Sequence, residues 1–418
     1  MSLDDFLSKF IQTTDYPTLE AMHYIMNKLN NPHKSLKFIH VAGTNGKGSI
    51  CEMLNKILIL SNYKVGKFIS PHLFESNESI SINNTTITNK EFEKYINIFS
   101  KISEEYYIET GRKTTRFEIL TSLAILYFYE NNCDIVVLEV GLGGMYDCTN
   151  IVNSLISVFG TIGFDHTAIL GNTLEEIALQ KAGIIKENSN TIIFEQPASP
   201  IIEKVCQAKN SNFHIIKNSD ISNYYFDNNY QYFNFEQYQN LTINLKGKKQ
   251  IENASIAIKC CQVLEKYAFH IPKEIIFDAL KNINHPARFE IIKKEPLVIF
   301  DGAHNGNALL NFCETVNNLY KTERKTFIIS IITTKDYKEN LNILLNSFEN
   351  CHFIFTNGGD EKKFFDEKIL YAYAKSLNTN NTLEYNNLEY ALNKLNNSVN
   401  FIVGSFYMYE KVINLLKN

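Results

Sequence analysis

The chain reads as an α/β protein in two domains. The larger is a doubly wound, mostly parallel sheet with a small antiparallel edge sheet; the smaller, C-terminal one is a Rossmann-like α/β domain. Three observations predict this. Apolar runs of strand length, such as 36–42 and 134–140, are near-continuous, as in parallel strands covered on both faces. Such runs are repeatedly followed by a polar or glycine-rich loop and then by a segment with helical apolar spacing. The length, 418 residues, exceeds one ordinary core.

Taken in order, residues 2–30 carry two amphipathic helices, broken near Pro17, that read as a lid over the sheet. The strand 36–42 leads through Gly43-Thr44-Asn45-Gly46-Lys47-Gly48-Ser49 into a helix with apolar residues at Met53, Leu54, Ile57 and Leu58, and the strand 64–70 closes a βαβ unit. A polar loop to about Thr88 follows, either a substrate flap or a plain surface excursion. Helices are expected over 90–109 and 116–131, strands over 134–140 and 155–163, and a helix from the capping box Thr173-Leu174-Glu175-Glu176. Two short strands flank a helix in 190–217. The alternating aromatics of 224–245 predict two or three antiparallel strands at a sheet edge, and helices run from Gln250 to about Lys266 and on to about Lys281. A boundary falls near His285-Pro286, giving domains 1–284 and 285–418 that are expected to share a cleft. Beyond it, strands at 297–300, 326–332, 352–356 and 400–403 alternate with helices.

Composition excludes several classes. With 44% hydrophobic and 21% charged residues the chain is a globular protein, not a disordered one. A net charge of −4 gives no electrostatic ground for binding nucleic acid or an anionic membrane, so phosphate recognition should be local and the ligand small. The eight cysteines form no CxxC pair and are expected as free thiols in a reducing cytosol. The N-terminus has no basic region before an apolar stretch, and no run approaches the roughly 18 apolar residues of a membrane span. A cytoplasmic monomer is expected.

The stretch 43–49 has the parts of a phosphate cradle. Glycines let backbone N–H groups approach an anion, the helix N-terminus adds positive potential, Lys47 supplies a cation, and Ser49 can ligate a phosphate-bound metal ion. The general P-loop pattern is only partly met, since Val41 stands where its first glycine would be and Gly48 separates Lys47 from Ser49. The alternative is a plain glycine-rich turn.

Ligands of parallel sheets lie beyond the carboxyl ends of the strands, which gathers the loop 43–49, Glu139 with its following glycines, and Asp165-His166. Hard oxygen ligands plus one histidine suit Mg²⁺ or Mn²⁺. Singly, Glu139 is equally readable as a cap or ion-pair partner and His166 as a hydrogen-bonded loop residue. Lys181 shares an apolar helical stripe with Leu174, Ile177, Ala178 and Ile185, where a bare ammonium is costly. It must find phosphate, find a carboxylate or lose its charge, and reaction with CO₂ would make it an anionic carbamate.

The segments GTNGKGS (43–49), SPHL (70–73), EVGLGGMYDCTN (139–150), FDHTAILGNTLEEIALQKAGIIK (164–186), NASIA (253–257), HPARFE (285–290) and DGAHN (301–305) together resemble the folylpolyglutamate synthase/dihydrofolate synthase family of the Mur ligase superfamily. The matches span most of the chain. The resemblance implies an ATP-dependent amide ligase that joins L-glutamate to dihydropteroate or a reduced folate through an acyl phosphate, with two Mg²⁺ ions. It implies nucleotide contacts from Asn45, Gly46, Lys47, Gly48, Ser49, Asn253, Arg288 and Asp301, and metal ligation by Ser49, Glu139 and His166. It also implies a carbamate on Lys181 as a further metal ligand, and a contribution of His304 to catalysis. The pterin-bearing substrate would lie near Ser70, His72, Phe117 and Asp147, with Ser405 near the glutamate site.

Departures are Met145 where many members have Arg, Lys248-Lys249-Gln250 before Asn253, and His285-Pro286-Ala287-Arg288 in place of Trp-Pro-Gly-Arg. They bear on adenine packing and substrate preference and leave the arginine in place. A Mur-type peptidoglycan ligase is the nearest alternative, but such enzymes usually carry an N-terminal nucleotide-sugar domain, and about 35 residues precede the phosphate-loop strand. A non-catalytic nucleotide-binding module would not need Glu139, His166, Lys181 and Asp301 together, and a free nucleotidase switch would not need the second domain.

Overall fold

The computed structural model describes residues 2–12, 18–227 and 229–417; the expected break at Pro17 lies outside them. The chain divides into two compact units, one comprising Met1–Tyr225, Tyr232–Thr242 and Ile251–Ile283, the other Phe226–Gln231, Ile243–Gln250 and Asn284–Asn418.

The first unit is built on eight strands: β1 Phe38–Ala42, β2 Val65–Phe68, β3 Ile80–Ile82, β4 Thr85–Thr86, β5 Ile135–Glu139, β6 Ile156–Phe159, β7 Asn190–Phe194 and β8 Asn212–Ile216. Their order is β4-β3-β2-β5-β1-β6-β7-β8. The six strands from β2 to β8 in that order are parallel, and β3 and β4 add an antiparallel edge. Strands β1, β2, β5, β6 and β7 are buried at every residue, as continuous apolar runs covered on both faces must be.

The edge hairpin corrects the expectation of an unbroken loop to Thr88. Asn83 and Asn84, both with positive φ (49° and 64°), make the tight turn that asparagine tolerates, and Ile80 and Ile82 put apolar side chains inward. The alternation Ile80-Ser81-Ile82 before an Asn-Asn pair was the readable signal.

Two long helices, Asn89–Thr110 and Arg116–Glu130, begin at capping boxes made by Thr88 with Glu91 and by Thr115 with Glu118; Gly111 ends the first in the left-handed region. The helices Leu3–Leu7 and Glu20–Lys28 do not lie over this layer as a lid. Leu3, Phe6, Leu7, Met22, Ile25 and Met26 are buried in the same core as Phe92, Phe99, Leu123, Phe68 and Leu138. Opposite charge adds to that packing. Arg116 Nη2 donates to Asp4 Oδ1 (2.7 Å) and Ser76 Oγ (2.6 Å), and Ser76 Oγ donates to Asp4 Oδ1 (2.6 Å), tying the N-terminal helix to the 70–79 loop.

The 224–245 region forms a separate three-stranded sheet instead of extending an edge: β9 Ile221–Phe226, β10 Gln231–Phe235 and β11 Tyr238–Ile243, in the order β11-β10-β9.

The second unit has six strands, two more than the sequence reading: β12 Glu290–Lys293, β13 Val298–Asp301, β14 Lys325–Ile329, β15 His352–Phe355, β16 Thr382–Tyr385 and β17 Val399–Val403. Their order is β12-β13-β17-β14-β15-β16, all parallel except β12. Phe327 stands directly across from Phe353 and Phe401, with ring centroids 4.8 and 5.2 Å apart, so register and core packing specify each other. The missed strands β12 and β16 are at the edges, where burial is partial and the apolar signal weak.

Candidate active site

In the first unit, β1 lies between β5 and β6, with Val41 paired to Glu139 and Ala42 to Phe159. The loops leaving the carboxyl ends of these three neighbouring strands therefore emerge side by side, as expected at a switch point of an open parallel sheet.

The loop after β1 is folded onto the loop after β6. Thr44 N and Asn45 N donate to Thr161 O (2.7 and 3.1 Å), and Thr44 Oγ1 donates to Gly163 O (2.9 Å). A Cβ on Gly160 would stand 2.4 Å from Asn45 O, so the close approach depends on that glycine. Gly46 has φ +89°, and a Cβ there would meet Asn253 Oδ1 at 2.7 Å. Asn253, buried on the helix Lys248–Leu264, thus backs the loop directly. The helix Lys47–Leu60 starts two residues before the expected Ser49, and no side chain caps it at Gly46. Gly48 and the buried Ser49 lie in its first turn.

Lys47 Nζ donates to Gly43 O (3.2 Å), and Lys181 Nζ donates to the same carbonyl (3.1 Å). Lys181 stands on the helix Leu174–Ala182, whose N-terminus is the expected Thr173/Glu176 capping box, and is only 4% exposed. Burial first, and then the neighbouring Lys47 charge, lower its pKa from 10.5 to about 7, against weaker support from Asp165 and Asp147. The costly ammonium has met a carbonyl oxygen and gives up much of its charge.

Glu139, the last residue of β5, is buried, and its Oε2 accepts from Ser70 N (3.3 Å). His166 has φ +50°; its partly exposed ring lies with Nε2 3.8 Å from Asp165 Oδ1, and its backbone N–H donates to that same oxygen (2.9 Å). Among the described residues no three His, Cys, Asp or Glu side chains gather as a metal cage. A hard cation here would draw on the Ser49 hydroxyl in the first turn of the helix Lys47–Leu60, the Glu139 carboxylate at the end of β5 and His166 after β6, a set that suits Mg²⁺ bound mainly through phosphate.

Ser70 and His72 follow β2, and the Phe117 ring packs 5.8 Å from Phe68 and lies against Gly141, where a Cβ would meet it at 2.6 Å. Asp147 is buried, and burial raises its pKa. Its Oδ2 accepts from Leu142 N (2.8 Å), and its Oδ1 accepts from Thr149 N (3.0 Å) and the Thr149 hydroxyl. Its carboxylate therefore organises its own loop. Sequence reasoning missed Thr149 and its partner His40, whose Nε2 lies 2.8 Å from Thr149 Oγ1. An imidazole inside the apolar run 36–42 was the available signal.

The second unit carries its own polar group at the carboxyl ends of the adjacent strands β13 and β17. Asp301 closes β13; burial raises its pKa against the Arg288 charge, and it accepts from Phe289 N (2.9 Å) and Ala303 N (2.8 Å). Arg288 is held between two residues with positive φ, Ala287 (60°) and Phe289 (48°), a strained turn for side chains of this kind, and stacks 4.2 Å over the Phe406 ring. His304 Nδ1 bonds Gly302 O (2.8 Å), and its ring meets Phe406 edge-on. Ser405, buried, accepts from Tyr407 N (3.2 Å).

Residues 41–261 match the Mur ligase middle domain. The dihydrofolate synthase/folylpolyglutamate synthase of Bacillus subtilis is 31% identical over 416 residues, covering 96% of this chain and 95% of its own. The dihydrofolate synthetase of Saccharomyces cerevisiae is 31% identical over 347 residues, covering 79% of each chain. The crystal structure of folylpolyglutamate synthase from Thermotoga maritima superposes with a TM-score of 0.84 at 30% identity, covering 100% of this chain and 96% of that one. With its middle domain matched and a relative aligned along nearly its whole length, the chain belongs to the dihydrofolate synthase/folylpolyglutamate synthase family of Mur ligases.

Proposed function

We propose that this chain is an ATP-dependent ligase that adds L-glutamate to the carboxylate of a reduced folate or of dihydropteroate. One observation of the molecule carries the reading. A phosphate loop, a buried carboxylate at a strand end and the Asp165-His166 pair stand at or beyond the carboxyl ends of three neighbouring strands, beside a buried lysine with a lowered pKa. That combination serves phosphoryl transfer to an acid better than simple nucleotide storage.

The reaction transfers the γ-phosphoryl group of ATP to the substrate carboxylate, giving an acyl phosphate and ADP. The glutamate amine then attacks the acyl carbon, the C–N bond forms and phosphate leaves. Lys47 and the amides of Asn45 to Gly48 bind and orient the phosphates, with Asn253 on the adenine side. Ser49, Glu139 and His166 would hold Mg²⁺, with a second ion that also takes Lys181. The bound metal supplies charge neutralisation at the phosphates. Arg288 and Asp301 serve the nucleotide, His304 the chemical step and Ser405 the glutamate. Ser70, His72, Phe117 and the Asp147 loop receive the pterin-bearing acid.

Lys181 acts as a carbamate: its neutral amine attacks CO₂, the N–C bond forms and a proton is released. An amine with a pKa of about 7 is about half neutral at pH 7, which such a reaction requires. The enzyme works as a cytosolic monomer, a setting that suits its eight free cysteines, seven of them buried. Among the described residues no helix is long and apolar enough to cross a membrane.

The test is ADP release with glutamate and either dihydropteroate or tetrahydrofolate. Release that requires both glutamate and one of these acids is the expected result. ATP turnover independent of them, or turnover on a UDP-sugar acid instead, would overturn the assignment.

A further inference from the structure

A buried polar chain runs beneath the Gly141–Gly144 turn. His40, at the centre of β1, is fully buried, and its Nε2 lies 2.8 Å from Thr149 Oγ1. Thr149 Oγ1 donates to Asp147 Oδ1, and the Asp147 carboxylate also accepts from the backbone N–H groups of Thr149 and Leu142. Burial raises the pKa of this carboxyl group, but two backbone donors and a hydroxyl directed at its two oxygens hold it in the ionised form, which only accepts. The single hydroxyl proton of Thr149 is then committed to Asp147. Nε2 of His40 must be the donor in the bond between His40 and Thr149, which leaves Nδ1 as the bare nitrogen. Nδ1 has no hydrogen-bond partner among the described residues, a smaller penalty for a lone pair than for a buried N–H. Burial, with Lys186 adding to it, keeps the ring neutral.

The far end of the chain meets the proposed substrate wall. Gly141 is squeezed between Phe117 and Asp147: a Cβ on it would stand 2.6 Å from the Phe117 ring and 3.1 Å from Asp147 Oδ2. Asn150, next to Thr149, donates to Met145 O (3.0 Å) and Gly183 O (3.1 Å), so the same turn also holds the chain just beyond Lys181.

We propose that His40 and Thr149 are positioning residues: through the Asp147 carboxylate they fix the Gly141-Leu142 turn against Phe117 and so set the affinity for the pterin-bearing acid without touching it. This rests on the reading of Phe117 as part of the wall for that acid. Thr149→Val keeps the shape and removes the hydroxyl; Thr149→Ser restores it. In Thr149→Val the KM for dihydropteroate or tetrahydrofolate should rise about tenfold, the size of one lost hydrogen bond to a charged group. The KM for ATP should stay within about twofold, and Thr149→Ser should return to the wild-type values.

Two measurements stand apart from activity. Nitrogen NMR of the wild-type protein should show His40 protonated at Nε2 and bare at Nδ1, and hydrogen exchange at the Leu142 amide should quicken about tenfold in Thr149→Val, again the weight of one such bond. A Nδ1-protonated His40, an unchanged Leu142 amide, or KM values for acid and ATP that rise together would overturn the proposal. If the wild-type enzyme turns over neither acid, the functional reading fails, and the NMR and exchange results still decide whether the chain fixes the turn.

Discussion

Replacing Lys181 by methionine removes a buried amine while keeping an unbranched side chain of similar reach, and the consequence for stability has a definite sign. In the unmodified protein the folded-state pKa of Lys181 is about 7, below the ordinary 10.5, chiefly because burial disfavours the ammonium. Below about pH 7 both folded and unfolded states carry the proton, and the folded state bears the full burden of a buried charge. As pH rises from about 7 towards 10.5 the folded amine releases its proton while the unfolded one keeps it. The unfolded state then binds more protons, and stability increases through that window. Between about pH 7 and pH 9 the gain is roughly 2 kcal/mol for a group titrating near 7.

Urea unfolding in CO₂-free buffer should therefore show the wild type gaining on Lys181→Met by about that amount over the same interval. Parallel stability curves would refute the assignment of a neutral buried amine. In catalysis, Lys181→Ala should be nearly inactive, and a small carboxylic acid in the buffer should restore part of the activity by occupying the vacated ligand position. Lys181→Arg should not respond, because its guanidinium fills the space and stays charged. A density map with a bare amine bonded to phosphate, together with no carboxylate rescue, would leave Lys181 as an ordinary phosphate-binding lysine.

Glu139→Ala should lower kcat on the order of a hundredfold or more with an unchanged circular dichroism spectrum, since the side chain ends a strand whose pairing is backbone-made; a near-normal kcat removes Glu139 from the site. Gly160→Ala would place a methyl 2.4 Å from Asn45 O, against backbone that cannot yield cheaply, so ATP binding by calorimetry should weaken at least about tenfold while unfolding remains cooperative. Arg116→Ala breaks the half-exposed pair with Asp4 and the bond to Ser76; thermal unfolding should show a loss of about 1 kcal/mol, and the KM for the folate acid should rise because the 70–79 loop loses its tether. Equal stability in Arg116→Ala would show the tether to be ornamental.

What the sequence discloses and what it hides follow from where the energy of each feature lies. The buried parallel strands of the first unit were readable because burial on both faces demands continuous apolar runs. The capping box at Thr173 was readable because it is a local hydrogen-bond pattern with fixed spacing. The buried position of Lys181 was readable from the apolar stripe it shares with Leu174, Ile177, Ala178 and Ile185.

The edge hairpin and the strands β12 and β16 were missed because an edge needs only part of its surface apolar. The N-terminal helices were misread as a lid because their amphipathic pattern names a buried face without naming what covers it; Leu3, Phe6 and Leu7 turn out to lie in one core with Phe92 and Phe68. His40 was hidden for a further reason. Its partner lies 109 residues away, and the bond exists only because β1 packs beside the turn that follows β5. A hydrogen bond of that separation leaves no periodic trace, only a polar residue where an apolar one was expected. That exception to the pattern is itself informative: an imidazole retained at the centre of a fully buried strand needs a donor or acceptor to meet it, and the fold supplies one that leads to the Asp147 loop.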